Sequence, residues 1–253
     1  MKKYLFLAGC SIFFMLSACT THYKLTDVSR TRILVDRTYE SPVDAKAMAF
    51  LAPYKEKVDS FMSPVVGNCA HDMSVSRPES TLSNLLPDVF IFMSKNYGER
   101  PQFAVYNMGG IRAGLSKGPV TFGDVLDVAP FDNKITFLTL TGEKVTELFQ
   151  QIAKRGGEGV SEGVKLVISK DGNLISATLY GKEIDPKAEY RVVTIDYLAE
   201  GNDGLTAFKS GTNIKSPADE KDNARNVIAN FFREKRAKGQ TVSSKVEGRI
   251  TIQ

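Results

Sequence analysis

Phe103-Ala104-Val105-Tyr106-Asn107-Met108-Gly109-Gly110-Ile111-Arg112 is the stretch around which the chain is organised. The apolar run Phe103 to Tyr106 reads as a strand, and the glycine pair after it as a tight turn. Glycines let backbone N–H groups approach a ligand closely. The same turn carries the carboxamide of Asn107 and the guanidinium of Arg112. Together they suit an anionic or heterocyclic small molecule.

Upstream, Leu82, Leu85, Leu86, Val89, Phe90 and Met93 recur at helical spacing, with Pro87 expected to kink or restart the helix. Earlier still, Ser41-Pro42-Val43-Asp44 looks like a helix start with Ser41 as N-cap. Val43, Ala47, Phe50, Leu51, Tyr54, Val58 and Phe61 then form an apolar stripe, expected in the core of a helix of about 20 residues. Arg32-Ile33-Leu34-Val35 suggests an edge strand, and Met62 to Val75 an extended segment with a turn at Gly67-Asn68.

Downstream, 118–127 holds a short helix or turn, and Lys134 to Leu140 alternates as a strand. Thr141-Gly142 opens a helix carrying Val145, Leu148, Phe149 and Ile152. Gly156-Gly157-Glu158-Gly159 reads as a flexible loop. Val164 to Ser169 and Leu174 to Tyr180 form a hairpin over Asp171-Gly172. Tyr190 to Ile195 is a further strand, Asp222 to Lys238 a basic helix, and Gly248 to Ile252 a closing strand. Helices stand before and between the strands without a regular βαβ repeat. The expected class is therefore α+β: a single domain with a mixed β-sheet and packed helices.

The chain has 253 residues, 42% hydrophobic and 25% charged, with net charge +4. The basic excess is small and scattered, which argues against a nucleic-acid polymer as partner. Lys2 and Lys3 followed by the apolar run Tyr4 to Met15 read as a secretory leader, too short to span a bilayer. Leu16-Ser17-Ala18-Cys19 resembles a bacterial lipobox. Residues 1–18 are thus expected to be a lipoprotein signal peptide, Cys19 the lipidated residue, 19–41 a tether and 42–253 the folded domain. The expected location is the cell envelope, lipid-anchored to a bacterial membrane and facing the periplasm or the surface. Cys10 leaves with the leader, so Cys69 stands alone and no intramolecular disulfide forms. It reads as a structural thiol.

Three loops beside strands carry polar and aromatic groups. The first offers Asn107 and Arg112. The second offers Phe131, Asp132 and Asn133, the third Tyr197, Asn202 and Asp203. Asp and Asn read donors on a sugar or base edge, and two aromatic rings sandwich a flat heterocycle. Such stacking is worth ~1–3 kcal/mol per base in single-strand binders. Arginine supplies a planar fork for carboxylate or phosphate.

The ordered motifs Asn-x-Gly-Gly-Ile-Arg (107–112), Pro-Phe-x-Asn (130–133) and aromatic-Leu-Ala-x-Gly-x-Asp-Gly (197–204) resemble the C-terminal domain of the 5′-nucleotidase family. Val120 to Val125 and Leu140 to Val145 also fit its pattern, and the resemblance covers residues 60–252. It implies a 5′-nucleotidase C-terminal-like fold and a nucleotide-recognition site. By resemblance, Phe131 and Tyr197 stack on the base, with Tyr197 standing where Phe is usual. Asp203 takes ribose hydroxyls, and Asn107 and Arg112 contact the nucleotide. Arg77 stands in the place of a further family arginine. The spacing from Arg77 to Glu79 is shorter than the pattern, and Ser83 replaces a glycine.

Family members that hydrolyse nucleotides also carry a metallophosphatase domain with two metal ions and several histidines. This chain has two histidines, His22 and His71. Gly67-Asn68-Cys69-Ala70-His71-Asp72 echoes one metal motif only loosely. No catalytic residue, metal ligand or cofactor is therefore expected here, and divalent metals are expected on a partner metallophosphatase. The chain reads as the substrate-binding half of a split phosphohydrolase, not expected to be active alone. The other readings are a stand-alone nucleotide- or nucleoside-binding lipoprotein, a retained fold used for protein interaction, and a hydrolase acting alone.

Overall fold

A computed structural model gives the fold and describes residues 23–39 and 43–253. The leader, Cys19, Ser41 and Pro42 lie outside the described residues. The chain divides into two compact units, Met1–Phe50 and Leu51–Gln253.

In the first unit, Arg32 to Val35 is exposed and forms no strand, correcting the edge-strand expectation. β-rich composition does not make a strand without a sheet edge to pair with. Helix α1 (Ala45–Met62) starts here. Asp44 Oδ1 accepts from the backbone N–H of Lys46 (2.9 Å) and Ala47 (3.1 Å), so Asp44 serves as its cap. No residue of α1 is buried. The expectation that its stripe is core is therefore wrong. Helical periodicity shows that one face is apolar but not which surface covers it.

The second unit runs in order β1 (Val65–Cys69), α2 (Thr81–Met93), β2 (Phe103–Tyr106), β3 (Gly118–Thr121), α3 (Phe122–Val128), β4 (Ile135–Thr141) and α4 (Gly142–Lys154). It continues with β5 (Gly159–Val160), β6 (Val164–Ile168), β7 (Leu174–Leu179), β8 (Lys182–Glu183), β9 (Glu189–Ile195) and α5 (Asp196–Ala199). β10 (Thr212–Lys215), α6 (Ala224–Ala237) and β11 (Ile250–Ile252) complete it. The central sheet has five strands in the order β10-β4-β9-β2-β5. β2 and β9 are parallel and the other pairs antiparallel, so the sheet is mixed as expected. A four-stranded sheet, β11-β6-β7-β8, contains the hairpin read from Asp171-Gly172, and β1 pairs with β3.

Every residue of β2 is buried, so the strand needs cover on both faces. Phe103 packs against Phe149 of α4 and Tyr106 against Phe90 of α2, each with ring centroids 5.5 Å apart. Residues 103 and 106 project to opposite faces of a strand, so α2 and α4 lie on opposite sides of it. Ser80 caps α2 in a reciprocal box with Ser83. The helix runs through Pro87 as one element, against the expected restart. β1 likewise passes straight through Gly67-Asn68, where a turn was expected.

Gly156 to Gly159 is not a loose loop. Glu158 is 1% exposed, and β5 pairs Gly159 with Tyr106 and Val160 with Val105. Gly157 adopts φ +110° with a built Cβ 2.4 Å from the Pro78 carbonyl oxygen, so only glycine fits there. Glycine richness here marks close packing rather than mobility. Glu79, also buried, accepts from Asn84 Nδ2 (2.6 Å) and the backbone N–H of Glu247 and Arg249 (2.7 Å each). It thereby ties the entry to β11 onto the start of α2.

Candidate functional site

The topology gathers the loops. β2 and β9 are parallel and end on the same side, while Ile135 pairs with Ile195 and Gly159 with Tyr106. The C-terminal ends of β2 and β9 therefore meet the N-terminal ends of β4 and β5 at one end of the sheet. The loops preceding β4 and β5 and those following β2 and β9 all face this point. Between them lies a cavity of about 230 Å³.

Asn107, Gly109 and Gly110 form one wall, Phe131 and Asn133 a second, and Tyr197 and Asp203 a third. Arg155, from the end of α4, lines it too. Phe131 and Tyr197 are 47% and 36% exposed, standing outside the core with faces available to a ligand. Asn107 Nδ2 donates to Asp203 Oδ2 (2.9 Å), and the Tyr197 hydroxyl donates to Asp203 Oδ1 (3.1 Å). Asp203 holds a left-handed conformation (φ 56°, ψ 21°), uncommon outside glycine but tolerated by Asp. Asn202 Nδ2 closes this loop on the Tyr197 carbonyl (2.8 Å).

Gly110 is required by close approach, because a built Cβ would sit 2.7 Å from Asn107 Oδ1. That Oδ1 is buried and has no hydrogen-bond partner among the described residues. A buried acceptor left unpaired is costly.

Glu158 supports the site from beneath. Its Oε2 accepts from the Met108 N–H (2.5 Å), fixing the turn after β2. Its Oε1 accepts from Arg155 Nε (2.6 Å) and Arg77 Nη2 (2.6 Å). Arg155 Nη2 lies 3.6 Å from Asp203 Oδ2. Burial works against the Arg155 charge, but the hydrogen bond and charge of Glu158, with Asp203, outweigh it and raise its pKa. Burial, together with the hydrogen bond to Asp203, raises the Tyr197 phenol above the ordinary tyrosine value, keeping it a donor.

The sequence-derived residues thus fall into groups. Asn107, Phe131, Tyr197 and Asp203 converge on the cavity. Arg112 is exposed beside it, with its guanidinium carbon 6.0 Å from the Phe131 centroid and Nη1 donating to the Gly109 carbonyl (3.3 Å). Arg77 is exposed and does not line the cavity; it is bonded to Glu158 and to the Gly157 carbonyl (2.7 Å). Asp132 turns away to Arg225. Sequence reasoning passed over Arg155 and Glu158. Their signal is an opposite-charge pair three residues apart, embedded in glycines.

His71 bonds the Asp72 carbonyl (2.9 Å) and Ser243 Oγ (3.3 Å). Among the described residues no group of three or more His, Cys, Asp and Glu side chains could hold a metal ion. Burial pushes the Cys69 thiol up to about 11, that of a packed, unreactive cysteine. Among the described residues no helix is long and apolar enough to cross a membrane.

Two rings, a carboxylate, a carboxamide and a guanidinium line one cavity at the end of a mixed sheet. Residues 65–210 match the family described as 5′-nucleotidase, C-terminal domain, and the chain belongs to that family. It is 28% identical over 189 residues to the 5′-nucleotidase of Vibrio cholerae serotype O1, covering 72% of this chain and 33% of that protein. It is 29% identical over 246 residues to the trifunctional nucleotide phosphoesterase protein YfkN of Bacillus subtilis, covering 89% of this chain and 16% of that one. The solved 5′-nucleotidase precursor of Thermus thermophilus superposes with TM-score 0.71 at 27% identity, over 83% of this chain and 44% of that one. The chain therefore spans a third of the Vibrio relative and less than half of the Thermus one.

Proposed function

We propose that this chain is the nucleotide-recognition half of a 5′-nucleotidase-type phosphohydrolase in nucleotide catabolism, working with a separately encoded metallophosphatase. The observation that carries this reading is the convergence of Phe131, Tyr197, Asp203 and Asn107 on one cavity. The two rings take the base between them, and Asp203 accepts from the ribose hydroxyls. Asn107 contacts the nucleotide from the same wall, while Arg112 beside the cavity faces the phosphate. Divalent metals on the partner would activate a water and stabilise the leaving oxygen. This chain's own residues bind and orient the substrate. Lipidation of Cys19 would hold the complex at the membrane surface of the cell envelope.

The test is reconstitution. Mixing the chain with a lone metallophosphatase encoded nearby is expected to release phosphate from nucleoside monophosphates faster than the two separate rates combined. Absence of any gain would contradict the partnership. The second reading is a nucleotide- or nucleoside-binding lipoprotein that works alone, supported by the two rings and the Asp203 carboxylate that line one cavity. Nucleotide binding without any gain in rate would select it.

A further inference from the structure

Phe131 lies outside the core, so the backbone on either side sets the position of its ring. Both flanking residues are gripped by one side chain from the start of α6, more than ninety positions downstream. Arg225 Nη1 donates to the Pro130 carbonyl (2.9 Å), and Arg225 Nη2 pairs with the Asp132 carboxylate. The α6 N-terminus adds further ties. The Ala224 N–H donates to the Asn133 carbonyl (2.8 Å), and Asn223 Nδ2 reaches Asp132 Oδ1 (3.4 Å). Lys134 Nζ donates to the Asp219 carbonyl (3.1 Å) and to Asn223 Oδ1. Residues 223 and 225 lie beyond the stretch matching the family, residues 65–210, whereas the loop they hold lies inside it.

Global stability does not account for this arrangement. The Asp132 side chain is 79% exposed although Arg225 is only 17% exposed, and a pair with one partner open to water adds little to stability. The guanidinium fork instead fixes geometry, since its planar donors take a carbonyl and a carboxylate at once. Stacking needs such geometry, because a ring on a mobile loop must be ordered before it contributes.

We propose that Arg225 is a positioning residue that sets the aperture between Phe131 and Tyr197 by holding Pro130 and Asp132. The inference rests on the reading of these rings as a base-stacking pair. Calorimetric titration with nucleoside monophosphates tests it in the wild type, Arg225→Ala, Arg225→Lys, Phe131→Ala and the Arg225→Ala/Phe131→Ala double variant. Arg225→Ala is expected to weaken binding about tenfold, within the range of coupled neighbours. Arg225→Lys, which makes only one of the two contacts, should fall between. In the Phe131→Ala background, Arg225→Ala should have no further effect, and the melting temperature should stay near that of the wild type. Wild-type affinity in Arg225→Ala, or an equal loss with and without Phe131, would overturn the assignment. A ligand-free readout separates this from failure of the nucleotide reading. A fluorinated phenylalanine at position 131 should give a single narrow ¹⁹F resonance that shifts or broadens in Arg225→Ala. An unchanged resonance overturns the clamp even if no nucleotide binds the wild type.

Discussion

Two regions of this protein place aromatic rings at the surface. In α1, Phe50, Tyr54 and Phe61 are 68%, 62% and 64% exposed, while at the cavity Phe131 and Tyr197 are 47% and 36% exposed. The difference lies in what surrounds the rings. The α1 rings recur along one helix none of whose residues is buried. The cavity rings come from loops over sixty residues apart in sequence and flank a carboxylate, a carboxamide and a guanidinium. Glu158 holds Arg155 and the turn after β2, Asp203 holds Asn107 and the Tyr197 hydroxyl, and Arg225 holds the residues on either side of Phe131. An exposed aromatic alone does not mark a binding site. Convergence of rings with immobilised polar groups sets the cavity apart, and that is a property of topology rather than of any single stretch.

The largest effect is expected at the support beneath the cavity. Glu158→Ala removes the common partner of Arg77, Arg155 and the Met108 N–H. Breaking a buried ion pair from one side costs about 3–5 kcal/mol. Both guanidiniums retain some access to water, which places this variant at about 3 kcal/mol, read by denaturant unfolding. Ligand binding should fall with it. Next come the rings. Phe131→Ala and Tyr197→Ala should each lower nucleotide affinity by ~1–3 kcal/mol, roughly five- to 150-fold, at unchanged melting temperature. Tyr197→Phe keeps the stacking face and loses only the bond to Asp203, so calorimetry should show a smaller loss.

The Tyr197 phenol carries a raised pKa, so its protonated form, and the bond it donates, is favoured in the folded state. That contribution is complete below the ordinary tyrosine value of about 10 and fades only as pH rises through the higher folded value. Affinity should therefore not decline for this reason between about pH 6 and roughly 9, and a decline in that window that vanishes in Tyr197→Phe would contradict the assignment. The smallest effect belongs to α1. Val58→Ala, on a residue 53% exposed, should change stability by less than about 0.5 kcal/mol. A cost typical of the core would mean that the α1 stripe is covered after all.

The sequence made much of this legible, and the limits have physical causes. β2, β4, β9 and the β6–β7 hairpin announce themselves because β-rich runs and an Asp-Gly turn are local signals. α2 and α4 begin where Ser80 and Thr141 cap them. The stripe of α1 misled because periodicity says nothing about what covers a face. Gly156 to Gly159 misled because glycine serves close packing as well as mobility. Arg155 and Glu158 were passed over because their importance depends on contacts with Met108 and Asp203, both far away in the chain. Arg77, a candidate for ligand contact by resemblance, pairs instead with the buried Glu158 carboxylate and does not line the cavity.

The central claim is that this chain recognises a nucleotide by itself at the end of its five-stranded sheet. Calorimetric titration of the metal-free chain with nucleoside monophosphates tests it most directly. Saturable binding of one ligand per chain is predicted, abolished in a Phe131→Ala/Tyr197→Ala double variant that melts like the wild type. Absence of binding, or equal binding by the double variant, would contradict it.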